Sequence, residues 1–69
     1  MRREPVSSSA IRSAGYEHGV LEIEFLNKGR IYQYRNVPPA AYAAFLEAPS
    51  KGTFVNKIIK NQYEALRIK

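Results

Sequence analysis

Arg30-Ile31-Tyr32-Gln33-Tyr34-Arg35 places two tyrosines at strand spacing between two arginines, and the arrangement of the chain follows from how this segment is oriented. Alternate residues of a β-strand share a face, so Tyr32 and Tyr34 are expected to point the same way. Aromatic rings beside guanidinium groups are typical of surfaces on which single-stranded nucleic acids stack their bases. The same pair is equally typical of the inner face of a small sheet.

The preceding segment, residues 20–26, has the clearest strand pattern of the chain. Its apolar residues alternate with two glutamates, Glu22 and Glu24. Asn27-Lys28-Gly29 follows as a turn in which Gly29 can adopt a positive φ. Residues 30–35 are therefore expected to return beside this strand as an antiparallel partner.

The length of the hairpin loop decides which face the tyrosines occupy, because a shift of one residue exchanges the faces. A three-residue loop pairs Tyr32 and Tyr34 with Glu24 and Glu22. A four-residue loop pairs them with the apolar positions, which are Leu21, Ile23 and Phe25. We favour the four-residue loop, because it collects the apolar side chains on one face and leaves the glutamates, Gln33 and Arg35 on the other. The tyrosines then belong to the core.

The segments before the hairpin predict an arm and one more strand. Residues 1–9 are polar, contain Pro5 and three consecutive serines, and have no periodicity, so we expect a flexible N-terminal arm. Residues 10–16 alternate over a short distance and predict a strand, which ends at a turn over residues 17–19. Residues 10–69 are expected to form a single α+β domain.

Two helices are predicted after the sheet. The first begins at Pro39, whose fixed φ suits a first helical turn, and ends before Pro49. Ser50 is a good N-cap for the second. The apolar faces predicted for the two helices consist of Tyr42, Phe45 and Leu46 in the first and Phe54, Val55, Ile58, Ile59 and Tyr63 in the second.

The predicted fold class is α+β, a three-stranded antiparallel β-meander followed by two helices packed on one face. Residues 64–69 either extend the second helix or form a short C-terminal strand at the edge of the sheet.

The composition excludes most catalytic and metal sites. The 69 residues include no Cys, no Asp and one His, so the usual Ser-His-Asp and Cys-His sites cannot be built. His18 lies in a predicted turn and is expected to be solvated rather than a metal ligand. We therefore expect no enzyme activity, no catalytic residue, no metal and no cofactor. The chain has no apolar stretch long enough to span a membrane and no secretory signal, which predicts a cytoplasmic protein.

The net charge of +5 favours an anionic partner such as RNA. Lys57 and Lys60 lie on the polar side of the second helix with Lys51 upstream, and together they predict a basic ridge that Arg30 and Arg35 could extend. Ser50-Lys51-Gly52-Thr53 combines a helix start with a lysine and a glycine. This combination fits either an ordinary N-cap or a phosphate site, and we favour the N-cap.

The pattern resembles the KTSC domain, a small family also found at the C-terminus of some lysyl-tRNA synthetases. The resemblance covers nearly the whole chain. Its signature positions are Tyr32, Tyr34, Val37, Pro38, Ser50, Lys51, Gly52, Asn56 and Tyr63. It implies the same small fold and, through the synthetase association, RNA as a partner, and it carries over no catalytic residue.

Two functions are compatible with these observations. The first is a non-catalytic domain that binds RNA or single-stranded nucleic acid through Arg30, Arg35, Lys51, Lys57 and Lys60. The alternative is a protein-protein interaction module that docks on a larger protein or self-associates through exposed tyrosine and alanine side chains.

Overall fold

The computed structural model describes residues 1–69 as a five-stranded antiparallel sheet with two helices against one face. The strands are β1 (Glu4–Pro5), β2 (Ile11–Glu17), β3 (Val20–Phe25), β4 (Ile31–Tyr34) and β5 (Ala65–Arg67). The helices are α1 (Pro39–Glu47) and α2, which is α-helical over Lys51–Phe54, π-helical over Val55–Ile59 and α-helical over Lys60–Gln62. The strands follow one another in the sheet in chain order.

This architecture confirms the predicted α+β class, with a meander followed by two helices. The meander has five strands rather than three, because a short strand is added at each edge. At one edge β5 pairs with β4, which is the edge-strand alternative for residues 64–69.

The register of the β3–β4 hairpin places both tyrosines on the apolar face. Leu21 lies opposite Tyr34, and Ile23 lies opposite Tyr32. The amide of Phe25 donates to the carbonyl of Arg30 at 2.8 Å, which leaves a loop of four residues, 26–29. Gly29 has a φ of 61°. The prediction of a four-residue loop is therefore confirmed.

The core lies between this face of the sheet and the two helices. Tyr34 is 1% exposed and lies at its centre, whereas Tyr32 is half-buried at its edge. Burial, with a smaller contribution from the neighbouring Tyr32, raises the pKa of Tyr34 to about 12. The buried core consists of Ile11, Ala14, Leu21, Ile23, Tyr34, Val37, Phe45, Val55 and Ile59.

The helices begin where the sequence predicts, but their apolar faces are narrower. Pro39 opens α1, and the Ser50 hydroxyl caps α2 by accepting from the Thr53 amide at 3.3 Å. Leu46 and Ile58, which the sequence predicts in the core, are exposed. In α1 the core contact is centred on Phe45, one residue before Leu46. In α2 the wider π-helical turn keeps Val55 and Ile59 on the core and rotates Ile58 away from it.

The N-terminal residues differ from the predicted flexible arm. Glu4 lies opposite Ala14 and Pro5 opposite Ser13, so β1 extends the sheet beyond β2. This approach depends on Gly15, because a Cβ at that position would lie 2.5 Å from the carbonyl oxygen of Arg2. A two-residue strand in a polar segment gives no periodic signal, and the space that admits it is visible only in three dimensions.

Replacing Tyr34 by Ala is expected to destabilise the domain by about 3 kcal/mol or more, because it leaves a cavity in the core. Urea unfolding followed by circular dichroism measures the loss. Tyr32→Ala is the matched control, with the same chemical change at a half-buried position of the same strand. A loss for Tyr34→Ala no larger than that for Tyr32→Ala would contradict the placement of Tyr34 at the centre of the core.

Candidate nucleic-acid interface

The outer face of the sheet, opposite the helices, contains a network of charged and polar side chains. The Arg3 side chain crosses β2 above Gly15 and forms an ion pair and hydrogen bond with Glu22 on β3. Arg3 Nε also donates to the Ser13 hydroxyl at 3.0 Å, and Gln33 Nε2 donates to Glu22 Oε1 at 2.7 Å. Glu22 is thereby only 4% exposed although no helix covers this face.

The ionisation of Glu22 reflects this network. Burial by itself raises the pKa of the carboxyl group. The hydrogen bonds from Gln33 and Arg3, together with the positive charge of Arg3, more than offset that effect, so the pKa lies below its ordinary value. Glu22 is therefore an ionised carboxylate whose charge is neutralised within the fold.

The ion pairs of the protein involve a distinct set of arginines. Every ion pair uses Arg2, Arg3 or Arg12, and their partners are Glu4, Glu22 and Glu24. The five cations predicted to bind nucleic acid, Arg30, Arg35, Lys51, Lys57 and Lys60, form no ion pair. The glutamates that form ion pairs are thus paired with other arginines, and none of them is paired with a predicted binding cation.

Two of these five cations meet in one groove. Arg30 directly precedes β4 and Lys60 lies in the last turn of α2, and both line a groove of about 360 Å³. Its full lining is Ser9, Ala10, Phe25, Leu26, Asn27, Arg30, Tyr32, Asn56 and Lys60. We refer to this cavity as the Arg30 groove. It lies where the β3–β4 loop meets α2.

The aromatic side chains of the Arg30 groove are already packed against each other. Phe25 and Tyr32 meet edge to face with ring centroids 5.7 Å apart. The Lys60 ammonium lies 5.8 Å from the centroid of the Phe25 ring, within the range of a cation–π contact. Both residues are half-buried, and both line the groove.

Arg30 has an unusual hydrogen-bonding state. Its Nε atom is shielded from solvent and has no acceptor, and it is the only buried side-chain nitrogen or oxygen of the protein in this condition. A buried donor without a partner is costly, and such groups are few in native proteins. Arg30 therefore lines the groove with a guanidinium that has no protein acceptor at Nε.

The remaining predicted cations lie elsewhere, so the structure divides the predicted basic ridge. Arg30 directly precedes β4, and Arg35 directly follows it. At the rise of an extended strand, the Cα atoms of these two residues are about 16 Å apart. Lys51 donates to the carbonyl of Ala48 at 3.4 Å and lines a separate polar groove with Ser7, Ser8 and Ser9. Lys57 lines a third depression, beside Phe54 and Ile58.

The signature positions divide into structural residues and residues of the groove. Val37 is buried and its carbonyl accepts a hydrogen bond from the Tyr16 hydroxyl, and Tyr63 packs on the core. Gly52 is buried where an added Cβ would lie 2.8 Å from that of Ala10. Tyr32 and Asn56, in contrast, line the Arg30 groove.

Sequence reasoning missed several residues of the groove, namely Ser9, Phe25, Asn27 and Asn56 as contributors to a site. One signal was available for α2, because Asn56 and Lys60 are four residues apart and therefore lie on the same side of the helix. No local sequence pattern predicts that this side of α2 lies next to the β3–β4 loop, because the two segments are far apart in the chain.

Two further features of the structure bear on its chemistry. No cluster of three His or Glu side chains that could hold a metal ion is formed. Neither helix combines the length and apolar character needed to cross a membrane.

The chain is similar to proteins of one small domain family. The family profile of the KTSC domain matches residues 7–63. An uncharacterized protein of Stutzerimonas stutzeri is 43% identical over 65 residues, covering 91% of this chain and 90% of that one. A lysine–tRNA ligase of Nostoc punctiforme is 40% identical over 58 residues, which are 81% of this chain and 10% of the ligase. The crystal structure of a KTSC domain protein from Yersinia pestis has a TM-score of 0.90 and 43% identity, covering 99% of this chain and 97% of that one.

Replacing Glu22 by Gln is expected to weaken the acid dependence of stability. A pKa lowered by folding contributes stability that is complete above the unfolded-state pKa and is lost as the pH falls through the folded-state pKa. Glu22→Gln should therefore be less stable than the original protein at pH 7, and the difference should shrink between about pH 5 and pH 3.

Urea unfolding midpoints at four pH values between 7 and 3 measure this effect. Glu47→Gln, which changes an exposed glutamate without an ion pair, is the control and should follow the original protein. A constant difference between Glu22→Gln and the original protein at all pH values would contradict the assignment.

Proposed function

The chain belongs to the KTSC domain family, and we propose that it is a non-catalytic domain that binds RNA or single-stranded nucleic acid through a basic surface centred on the Arg30 groove. The observation that carries the proposal is the convergence of two unpaired cations, Arg30 and Lys60, on a groove with two half-buried aromatic rings. Cations and rings in one place are the two components of a single-strand binding surface.

The charge distribution supports an anionic polymer as the partner. The acidic residues Glu4, Glu22 and Glu24 are paired with Arg2, Arg3 and Arg12. The cations at the hairpin loop and along α2 form no ion pair. Phosphates bound there release condensed counterions, which supplies an affinity that falls with salt.

Arg35, Lys51 and Lys57 would contribute from outside the groove. They lie in separate places, so each would contact a different phosphate of a strand passing the groove rather than one shared site. The resulting binding is weak and sensitive to salt, as expected for a small surface with few phosphate contacts.

The similarity to a lysine–tRNA ligase gives independent support. The matching segment is 10% of that protein, whose name states that it acts on tRNA. A small domain of the same sequence type beside such an activity is consistent with a role in holding RNA. The proposal includes a cytoplasmic location, where RNA is present.

Replacing Lys57 and Lys60 together by Ala is expected to lower RNA affinity for all sequences and to flatten its dependence on salt. The slope of log affinity against log salt should decrease in magnitude by about 0.7 for each phosphate of a single strand that the variant no longer neutralises. Fluorescence anisotropy with tRNA and short oligonucleotides, at low and moderate salt, measures both quantities.

The matched control removes the same charge from the other side of the protein. Arg2→Ala with Arg12→Ala deletes two arginines that form exposed ion pairs. It should change affinity much less than the lysine pair. Equal effects of the two double variants would show that only net charge matters, and no binding by the original protein at low salt would overturn the proposed function.

A second candidate function is self-association, which one feature of the sheet favours. β5 is an edge strand, and Leu66 and the adjacent Ile68 are 53% and 47% exposed. An exposed edge with apolar side chains is able to pair with another strand. The apolar surface thus comes from Leu and Ile rather than from the tyrosines expected from the sequence, because Tyr34 is buried and Tyr32 is half-buried.

Self-association through β5 predicts a sedimentation coefficient that rises with protein concentration. Leu66→Lys combined with Ile68→Lys should remove this rise, because two charges on an edge strand oppose pairing. Leu46→Lys, at an exposed apolar position on α1, is the control. A monomer at all concentrations would exclude this candidate.

A further inference from the structure

The Arg30 groove is an open depression large enough to hold a small molecule. Its volume of about 360 Å³ falls within the range of ligand pockets, about 300–1,000 Å³. Its walls come from three places in the chain: Ser9 and Ala10 before β2, the β3–β4 hairpin, and α2. Its lining includes both aromatic rings and cationic side chains.

The charged part of the groove fits a phosphate group. Arg30 Nε is buried without an acceptor, and Lys60 supplies a second positive charge. Neither residue has a carboxylate partner. A phosphate has several acceptor oxygens and can accept from a guanidinium through two parallel hydrogen bonds while also facing an ammonium. The Ser9 hydroxyl, on the wall of the same groove, is a further donor.

The uncharged part of the groove fits a nucleobase. Phe25 and Tyr32 provide aromatic surface on which a base can stack. Asn27 and Asn56 add two carboxamides, each of which has both donors and an acceptor. Such groups pair with the polar edge of an unstacked base, as in the recognition of single-stranded RNA.

We infer that the Arg30 groove binds one nucleotide unit, with its phosphate on Arg30 and Lys60 and its base against Phe25 and Tyr32. This inference rests on the proposed function, because the nucleotide is one unit of the bound strand. Beyond that function, the groove holds both the phosphate and the base of a single nucleotide. The other cations then contact phosphates on either side of that unit.

The test is a titration of the ¹⁵N-labelled protein with the four nucleoside 5′-monophosphates, followed by NMR. The expected result is a movement of the Arg30 Nε–H signal, which reports directly on the unpaired donor, together with the amide signals of Phe25, Leu26 and Tyr32. Inorganic phosphate should move the Arg30 signal alone and bind more weakly than the nucleotides.

Variants locate the site. Arg30→Gln and Lys60→Ala should each weaken nucleotide binding by about tenfold or more, as expected for loss of a charged hydrogen-bond partner. Arg12→Gln is the matched control for Arg30→Gln, since it makes the same change at an exposed arginine that does not line the groove. It should leave nucleotide affinity within about twofold of the original. Arg30→Lys keeps the charge and should not restore affinity, because it lacks the Nε donor.

The outcomes separate this inference from the proposed function. If RNA binds with salt dependence while no nucleotide moves the groove signals, the inference is overturned and the proposed function stands. If nucleotides bind in the groove but RNA neither binds nor competes, the nucleotide site stands and the proposed function is overturned. Equal weakening by Arg12→Gln and Arg30→Gln, or phosphate binding as tightly as nucleotides, would also overturn the inference.

Discussion

The pairing of β3 with β4 is the constraint on which the rest of the structure depends. With Leu21 opposite Tyr34 and Ile23 opposite Tyr32, the fully buried side chains of the hairpin lie on one face. That face is broad enough for two short helices to cover, and their own apolar residues complete a core that neither could form alone. A shift of one residue would turn either the tyrosines to the outer face or Glu22 and Glu24 toward the helices, where a carboxylate without a partner is costly.

The same register also determines on which face of the sheet the charged side chains lie. It directs Glu22 and Glu24 to the outer face, where Arg3 and Arg12 neutralise them. The cations at the hairpin loop and on α2 are consequently separated from these carboxylates by the thickness of the sheet. The Arg30 groove forms where this region of unpaired charge meets the last aromatic residues of the inner face. Its chemistry therefore follows from the hairpin register and the placement of α2 together.

The sequence predicts the features that depend on residues close together in the chain, namely the hairpin and the helix starts. The alternation around Leu21 and the turn at Gly29 defined the hairpin, and Pro39 and Ser50 marked the helix starts. Leu46 and Ile58 were misplaced, because an ideal helical period does not anticipate a π-helical turn or the exact line of contact. The N-terminal strand and the Arg30 groove could not be predicted, since both depend on contacts between segments far apart in the chain.

The strands lie in the sheet in the same order as in the chain, and this order affects how the domain folds. Each strand pairs with its sequence neighbour, and only β5 returns to its neighbour β4 after the two helices. Most pairings therefore close only short loops, and the entropy lost in forming them is small. Folding that starts at either central hairpin, β2–β3 or β3–β4, can therefore add the remaining strands at its two sides. The strand pair that orients the tyrosines is one of these two hairpins, so the pairing that sets the core also closes through a short loop.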